Sequence, residues 1–339
     1  MKNVKYQKYD IARKFGVEME FGSEVKKRKV KSLISEVSNA DVFVTKYGLS
    51  SNNDYWHVKD DATCGSKGRY GPKGVEVASF IGSGLADLSH ISYVAGKLFD
   101  SGCKVNDNCG LHIHADVSDL NVDQVSCLIA YWIKIEAVLS MALPLRRHNG
   151  EYCKFVFDPI NNMVVKNRLL TRTSSYDSEY MWAAVIPKNV NYFDNADRRY
   201  NLNLVNYVRS VQNGSSYRKT LELRWPEGSL SPLDIRCWVK LFLSFIETCK
   251  NKPMPKDLSC FDLVNTLNCI GFSKSKTRLV IYSEALFELK NWFLNRMLIN
   301  EDDFFTNYYG TSVGKKHQKA ISDVKKTLNS MWSPVRTFA

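Results

Sequence analysis

Two histidines two residues apart, His112 and His114 in NDNCGLHIHADVS, are where chemistry first shows in this chain. Alternate side chains of a strand share a face, so both imidazoles point one way while Leu111, Ile113 and Ala115 point the other. The same alternation recurs three times. GVEMEFG sets Glu18 and Glu20 against Val17, Met19 and Phe21; GVEVAS sets Glu76 against Val75 and Val77; KTLELRWPEGSL sets Glu222 and Arg224 against Leu221, Leu223 and Trp225. Two carboxylates about 7 Å apart along one strand repel each other unless something positive lies between them. A solvent-facing edge strand is the plain alternative for Glu18 and Glu20. Gly16 and Gly22 beside them argue instead for close approach of a backbone or a ligand.

Four strands with an apolar side and an acid, imidazole or guanidinium side are best accommodated in one antiparallel sheet, packed behind and functional in front. Several glutamates with imidazole favour Mg²⁺ or Mn²⁺ over a thiolate-type zinc site. Such ions bridge phosphate oxygens, and Arg224 and Arg199 are candidates to pair with phosphate.

Other elements must position these strands. Helical spacing is predicted for VKSLISEVSNA and for Ala86 to Asp100, where His90 is expected to be structural or exposed. A long, continuously apolar helix is expected from Ser118 to near Pro144, central to the packing. Arg146, Arg147 and His148 follow it. SPLDIRCWVKLFLSFIETCKN reads as an amphipathic helix with Ser231 as N-cap and Pro232 at its first position. Trp56 to Lys59 suits a strand ended by Asp60 and Asp61, and residues 197–210 suit a strand led by two arginines. Cys64 to Gly74 is a Gly- and Lys-rich loop that lacks the P-loop pattern; it is read as a hairpin connection ahead of a phosphate cradle. Residues 149–198 are loop-rich and aromatic, a length of irregular chain that usually carries function.

At 339 residues the chain has room for a sizeable core. Its apolar share of 44% and charged share of 24% are ordinary for a globular protein. No apolar run approaches the roughly 20 residues of a membrane helix, and MKNVKYQKYDIARKFG has no signal-peptide core, so a cytoplasmic location is expected. The nine cysteines include no CxxC pair and are read as reduced and mostly buried. A net charge of +12 suits an acidic partner, but the lysine run near residues 26–31 is expected to be a solvated face. No nucleic-acid-binding motif is present.

GVEMEFG, GVEVAS, CGLHIHADVS, RRYNLNL and LELRWPEGSL, in this order, resemble the amidoligases of the glutamine synthetase-like carboxylate–amine ligase superfamily over roughly residues 14–245. The resemblance implies an α+β fold: a curved, mainly antiparallel sheet of the glutamine synthetase catalytic type, helices on its back face and a helical C-terminal region. It implies a catalytic domain over residues 1–250 and an extension or cap over 251–339, a stretch with no recognised counterpart. It further implies ATP entering one end of a cavity and two or three Mg²⁺ or Mn²⁺ ions at its centre. Glu18 would share a metal with His112 and Glu222, and Glu20 and Glu76 would hold a second. Arg224 would bind the transferred phosphoryl group, His114 would lie near the phosphates, and Asn203 fits the family's asparagine. Its arginine is either Arg198 or Arg199. The implied reaction joins a small-molecule or peptide carboxylate to an amine through an acyl phosphate, and a phage or mobile-element setting fits so small a ligase.

Other classes compete. A phosphoryl or nucleotidyl transferase on the same fold would differ in its products. A zinc hydrolase would use His112, His114 and one glutamate, without an H-E-x-x-H motif. A basic nucleic-acid-binding protein is motivated by charge alone.

Overall fold

Phe15, Val17, Met19 and Phe21 are all buried on one side of β1 (Phe15–Gly22), as the alternation predicts. The computed structural model describes residues 12–22, 25–44, 54–65, 74–148, 150, 152–156, 198–213, 218–274, 279–281 and 287–299. Stretches 66–73 and 157–197 lie outside these residues, as do residues 300–339 of the C-terminal region expected to be helical.

Strand β1 is central. It pairs antiparallel with β4 (Gly74–Ala78) on one side and β5 (Leu111–Asp116) on the other. Beyond β4 lie β3 (Trp56–Asp61) and β2 (Val42–Val44); beyond β5 lie β7 (Thr220–Leu223) and β6 (Leu202–Asn203). The seven-stranded sheet runs β2-β3-β4-β1-β5-β7-β6, and only the β2–β3 pair is parallel. The fold is thus α+β around a mainly antiparallel sheet.

Apolar side chains of β1, β3, β4, β5 and β7 join one core with α2 (Gly84–Asp100), α3 (Val122–Ser140) and α5 (Pro232–Cys249). Helix α3 is buried on nearly every face, as its continuous apolar content requires. It begins at Asn121, later than Ser118, because Asn121 and Gln124 close a capping box. For α5 the predicted cap holds: the Ser231 side chain accepts from the Asp234 N–H. Helix α1 (Lys27–Ser35) turns Arg28, Lys29 and Lys31 to solvent, the expected exposed basic face. His90 is structural, bonded to the Ser38 hydroxyl at 3.1 Å.

Two further boundaries and one expected close approach differ from expectation. Strand β3 runs through both aspartates, since Asp60 pairs with Lys27 at 2.7 Å and Asp61 accepts from the Thr63 N–H and hydroxyl. The arginine-led strand shrinks to two residues. Asn203 Oδ1 accepts the Val205 N–H at 2.9 Å and turns the chain into α4 (Val205–Asn213). A side chain on Gly16 would meet nothing within 4 Å, so the close approach expected there occurs only at Gly22, where a Cβ would lie 2.8 Å from the Cys64 carbonyl.

Beyond α5, helix α6 (Leu263–Cys269) packs against α3, a short hairpin pairs β8 (Phe272–Lys274) with β9 (Leu279–Ile281), and α7 (Phe287–Ile299) packs against α5. Leu263, Leu267, Trp292, Phe293 and Met297 share the core that backs the sheet. No helix of the described residues is long and apolar enough to cross a membrane.

Candidate active site

The register of the sheet assembles the polar face. Glu18 on β1 stands opposite His112 on β5, and His114 opposite Glu222 on β7. On the other side Glu20 stands opposite Glu76 on β4, and Glu76 opposite Lys59 on β3. Directly opposed residues have Cβ atoms only about 5 Å apart, so the side chains must meet. His112 Nδ1 lies 3.4 Å from Glu20, 3.6 Å from Glu18 and 3.9 Å from Glu222. His114 Nε2 lies 3.4 Å from Glu18. Lys59 Nζ lies 2.8 Å from Glu76.

Glu20 and Glu222 are each held by hydrogen bonds from residues outside the cluster. Glu20, buried, accepts the Gly110 N–H at 2.7 Å and lies 3.3 Å from the Cys64 thiol. Gly110 is needed there, because a Cβ on it would come within 2.6 Å of His112 Nε2. Glu222 accepts from Asn203 Nδ2 at 2.6 Å and pairs with Arg224. The chain after β7 is fixed by Arg147, whose guanidinium donates to the carbonyls of Arg224, Trp225 and Pro226 at 2.7 to 2.9 Å. Arg147 is almost wholly buried, and three charge-assisted bonds answer its desolvation. Further out, Arg296 of α7 donates to the Ala142 carbonyl and pairs with Glu227, tying the last described helix to the same bend.

Burial opposes every charge in this cluster, and the neighbours decide the balance. Glu18 is pushed up by burial but held well below the usual carboxylate range by His114, His112 and Lys59. Burial likewise raises Glu222, and Arg224 with the two imidazoles outweighs it, so its value falls. Burial lowers His114, yet Glu18 and Glu222 raise it overall. Glu76 moves the other way: burial and Glu18 prevail over Lys59 and push it up to about 7. Burial is the larger cause for Glu76, and the neighbouring Glu18 adds to it.

The donor set decides whether a divalent cation fits. Ligand atoms of Glu18, His114 and Glu222 lie within 4.8 Å of one another, and so do those of Glu20, Asp61 and Cys64. The first set, all oxygen and imidazole nitrogen, suits a hard or borderline ion such as Mg²⁺ or Mn²⁺.

The expected residues Glu18, Glu20, His112, His114, Glu222 and Arg224 come together, with Asn203 at the edge. Asn203 spends its side chain on Glu222 and on the start of α4. Arg199 lies over the Tyr152 ring at 5.0 Å from its centroid, and Arg198 is exposed. Glu76 is engaged by Lys59, a partner that sequence reasoning missed. Lys59 could have been found by continuing the alternation of WHVKDD, which puts His57, Lys59 and Asp61 on one side. Arg147 had no such signal, because its partners are carbonyls about 80 residues away.

A family model described as "Putative amidoligase enzyme" matches residues 12–246, more than half of the chain. No curated protein matches. Among solved structures, a bifunctional glutathione synthetase from Pasteurella multocida aligns with a TM-score of 0.39 and 13% identity, over 94% of this chain and 51% of that one. The chain therefore spans about half the length of that enzyme.

Proposed function

Because the chain belongs to the family of putative amidoligase enzymes, we propose that it is an ATP-dependent carboxylate–amine ligase working through an acyl phosphate. The γ-phosphoryl group of ATP passes to a substrate carboxylate, giving ADP and an acyl phosphate. An amine then attacks the acyl carbon, the C–O bond to phosphate breaks, and the amine loses a proton as the amide forms.

What supports this reading most is the meeting of Glu18, His112 and Glu222, from three separate strands, around one imidazole nitrogen. Glu18, Glu20, His112 and Glu222 would hold Mg²⁺ or Mn²⁺, which supplies charge stabilisation at the phosphoryl oxygens when bound. Arg224, braced by Glu222, would orient the transferred group, and His114 would face the phosphates from the neighbouring position on β5. Asn203 would keep Glu222 aimed. Arg199 is the candidate for a second phosphate contact. Phosphoryl transfer asks the protein for positioning and electrostatics and little covalent work, which suits a site made of fixed charges. On this reading the sheet is of the glutamine synthetase catalytic type, residues 1–250 form the catalytic domain, and residues 251–339 form an extension. The +12 charge favours an acidic acceptor, a small molecule or a peptide tail.

Purified protein given Mg²⁺, ATP and mixed pools of carboxylates and amines should release ADP together with an amide product. Calorimetry that detects no nucleotide binding, or products containing AMP or a stable phosphate ester, would overturn the assignment.

A further inference from the structure

Lys59, Glu76 and Glu20 form a row across three adjacent strands, each directly opposite the next. The lysine end of this row is closed: Lys59 Nζ reaches Glu76 Oε1 at 2.8 Å, with about one fifth of the lysine side chain and less of the glutamate exposed. The other end opens onto Glu18, His112 and Glu222, where one imidazole nitrogen faces three carboxylates.

We propose that Lys59 is a built-in cation standing in for one divalent ion, so that Glu76 is served by the chain itself and bound ions are confined to the Glu18–His112–Glu222 end. This rests on the metal-dependent reading above. An ammonium group carries three donors and no lone pair, so it can satisfy a carboxylate but cannot share a metal with it. A divalent ion on Glu76 would have to sit against that ammonium in a partly desolvated position, where like charges repel far more strongly than in water. Register makes the pairing hard to undo, because the two residues are opposed on neighbouring strands of a backed sheet. The lysine stem is packed, so swinging the head group away would strip it of its one carboxylate partner at 2.8 Å. Glu18 and Glu20 have no such partner of their own: Glu18 is reached by imidazoles, and Glu20 by the Gly110 N–H, while Glu222 pairs with Arg224 through one oxygen and accepts from Asn203 through the other.

The test is a count of Mn²⁺ ions per chain, without nucleotide, by electron paramagnetic resonance of free Mn²⁺ and by calorimetry. Glu76→Gln is expected to bind as many ions as the wild type, and Lys59→Met one more. Lys59→Met/Glu76→Gln should return to the wild-type count. Loss of an ion in Glu76→Gln, or no gain in a folded Lys59→Met, overturns the proposal while leaving the ligase reading intact. If Lys59→Met does not fold, the Glu76→Gln count decides alone. A wild-type protein that binds no Mn²⁺ at all would overturn this proposal and the metal-dependent reading together.

Discussion

Glu18 and His112 stand directly opposite each other on β1 and β5, and His112 Nδ1 reaches within 3.6 Å of the carboxylate. The pair ties the two middle strands of the polar face to a single point, so changes to either partner should be felt at once in function.

Glu18→Ala and Glu222→Ala should each lower ADP release by at least about a hundredfold, the scale of losing one preorganised electrostatic contact. Coupled-assay rates on folded variants check this. Full activity in both would remove the site assignment.

Ions bound only by the folded chain should stabilise it. With Mn²⁺ at about a hundred times its dissociation constant, the gain is about 2.7 kcal/mol per site. Thermal melts with Mn²⁺ and then with excess chelator should differ accordingly, and Glu18→Ala should abolish the difference.

Gly110→Ala should be costly for so small a change. The new methyl group would lie 2.6 Å from His112 Nε2 and 3.3 Å from Glu20 Oε2, so β5 or the imidazole must shift. A loss of about 1–3 kcal/mol by urea melts is expected, the range for overpacking, with activity falling at least about tenfold. Gly16→Ala, whose Cβ would meet nothing within 4 Å, should lack the steric penalty and serves as the control.

Acid should loosen the junction of α5 and α7. Arg236 and Lys240 hold Glu288 down at about 2, against its ordinary 4.5. A lowered carboxylate stabilises the fold above its unfolded value, so this contribution is complete above about pH 4.5 and disappears as pH falls towards 2. The groups are partly exposed, which limits the effect to about 1 kcal/mol. Urea melts of wild type and Glu288→Gln should differ at pH 6 and converge near pH 2.

The composition of the polar face was legible because a period of two sorts side chains without any knowledge of partners: Glu18, Glu20, Glu76, His112, His114 and Glu222 all lie where alternation puts them. The start of α5 was legible for a similar local reason, since Ser231 and Pro232 act within one turn. Register was not. That Lys59 faces Glu76 depends on how β3 slides along β4, which no residue of either strand announces alone. The run at 197–210 misled because its alternation looks extended, whereas one side-chain bond from Asn203 converts it to helix. Arg147 escaped notice because its contribution is to hold carbonyls distant in the chain.

The bond between Arg296 and Glu227 carries a consequence for how the protein comes into being. Among the described residues, all seven strands of the main sheet have been synthesised by Leu223, yet the Glu227 carboxylate in the bend that follows them waits for a guanidinium some seventy positions later in translation. A nascent chain can thus lay down its sheet on the ribosome, with the carbonyls after Arg224 already held by Arg147, while the Glu227 side chain still lacks its guanidinium partner. Catalytic competence should arrive late in biogenesis, as a finishing step rather than a by-product of early collapse.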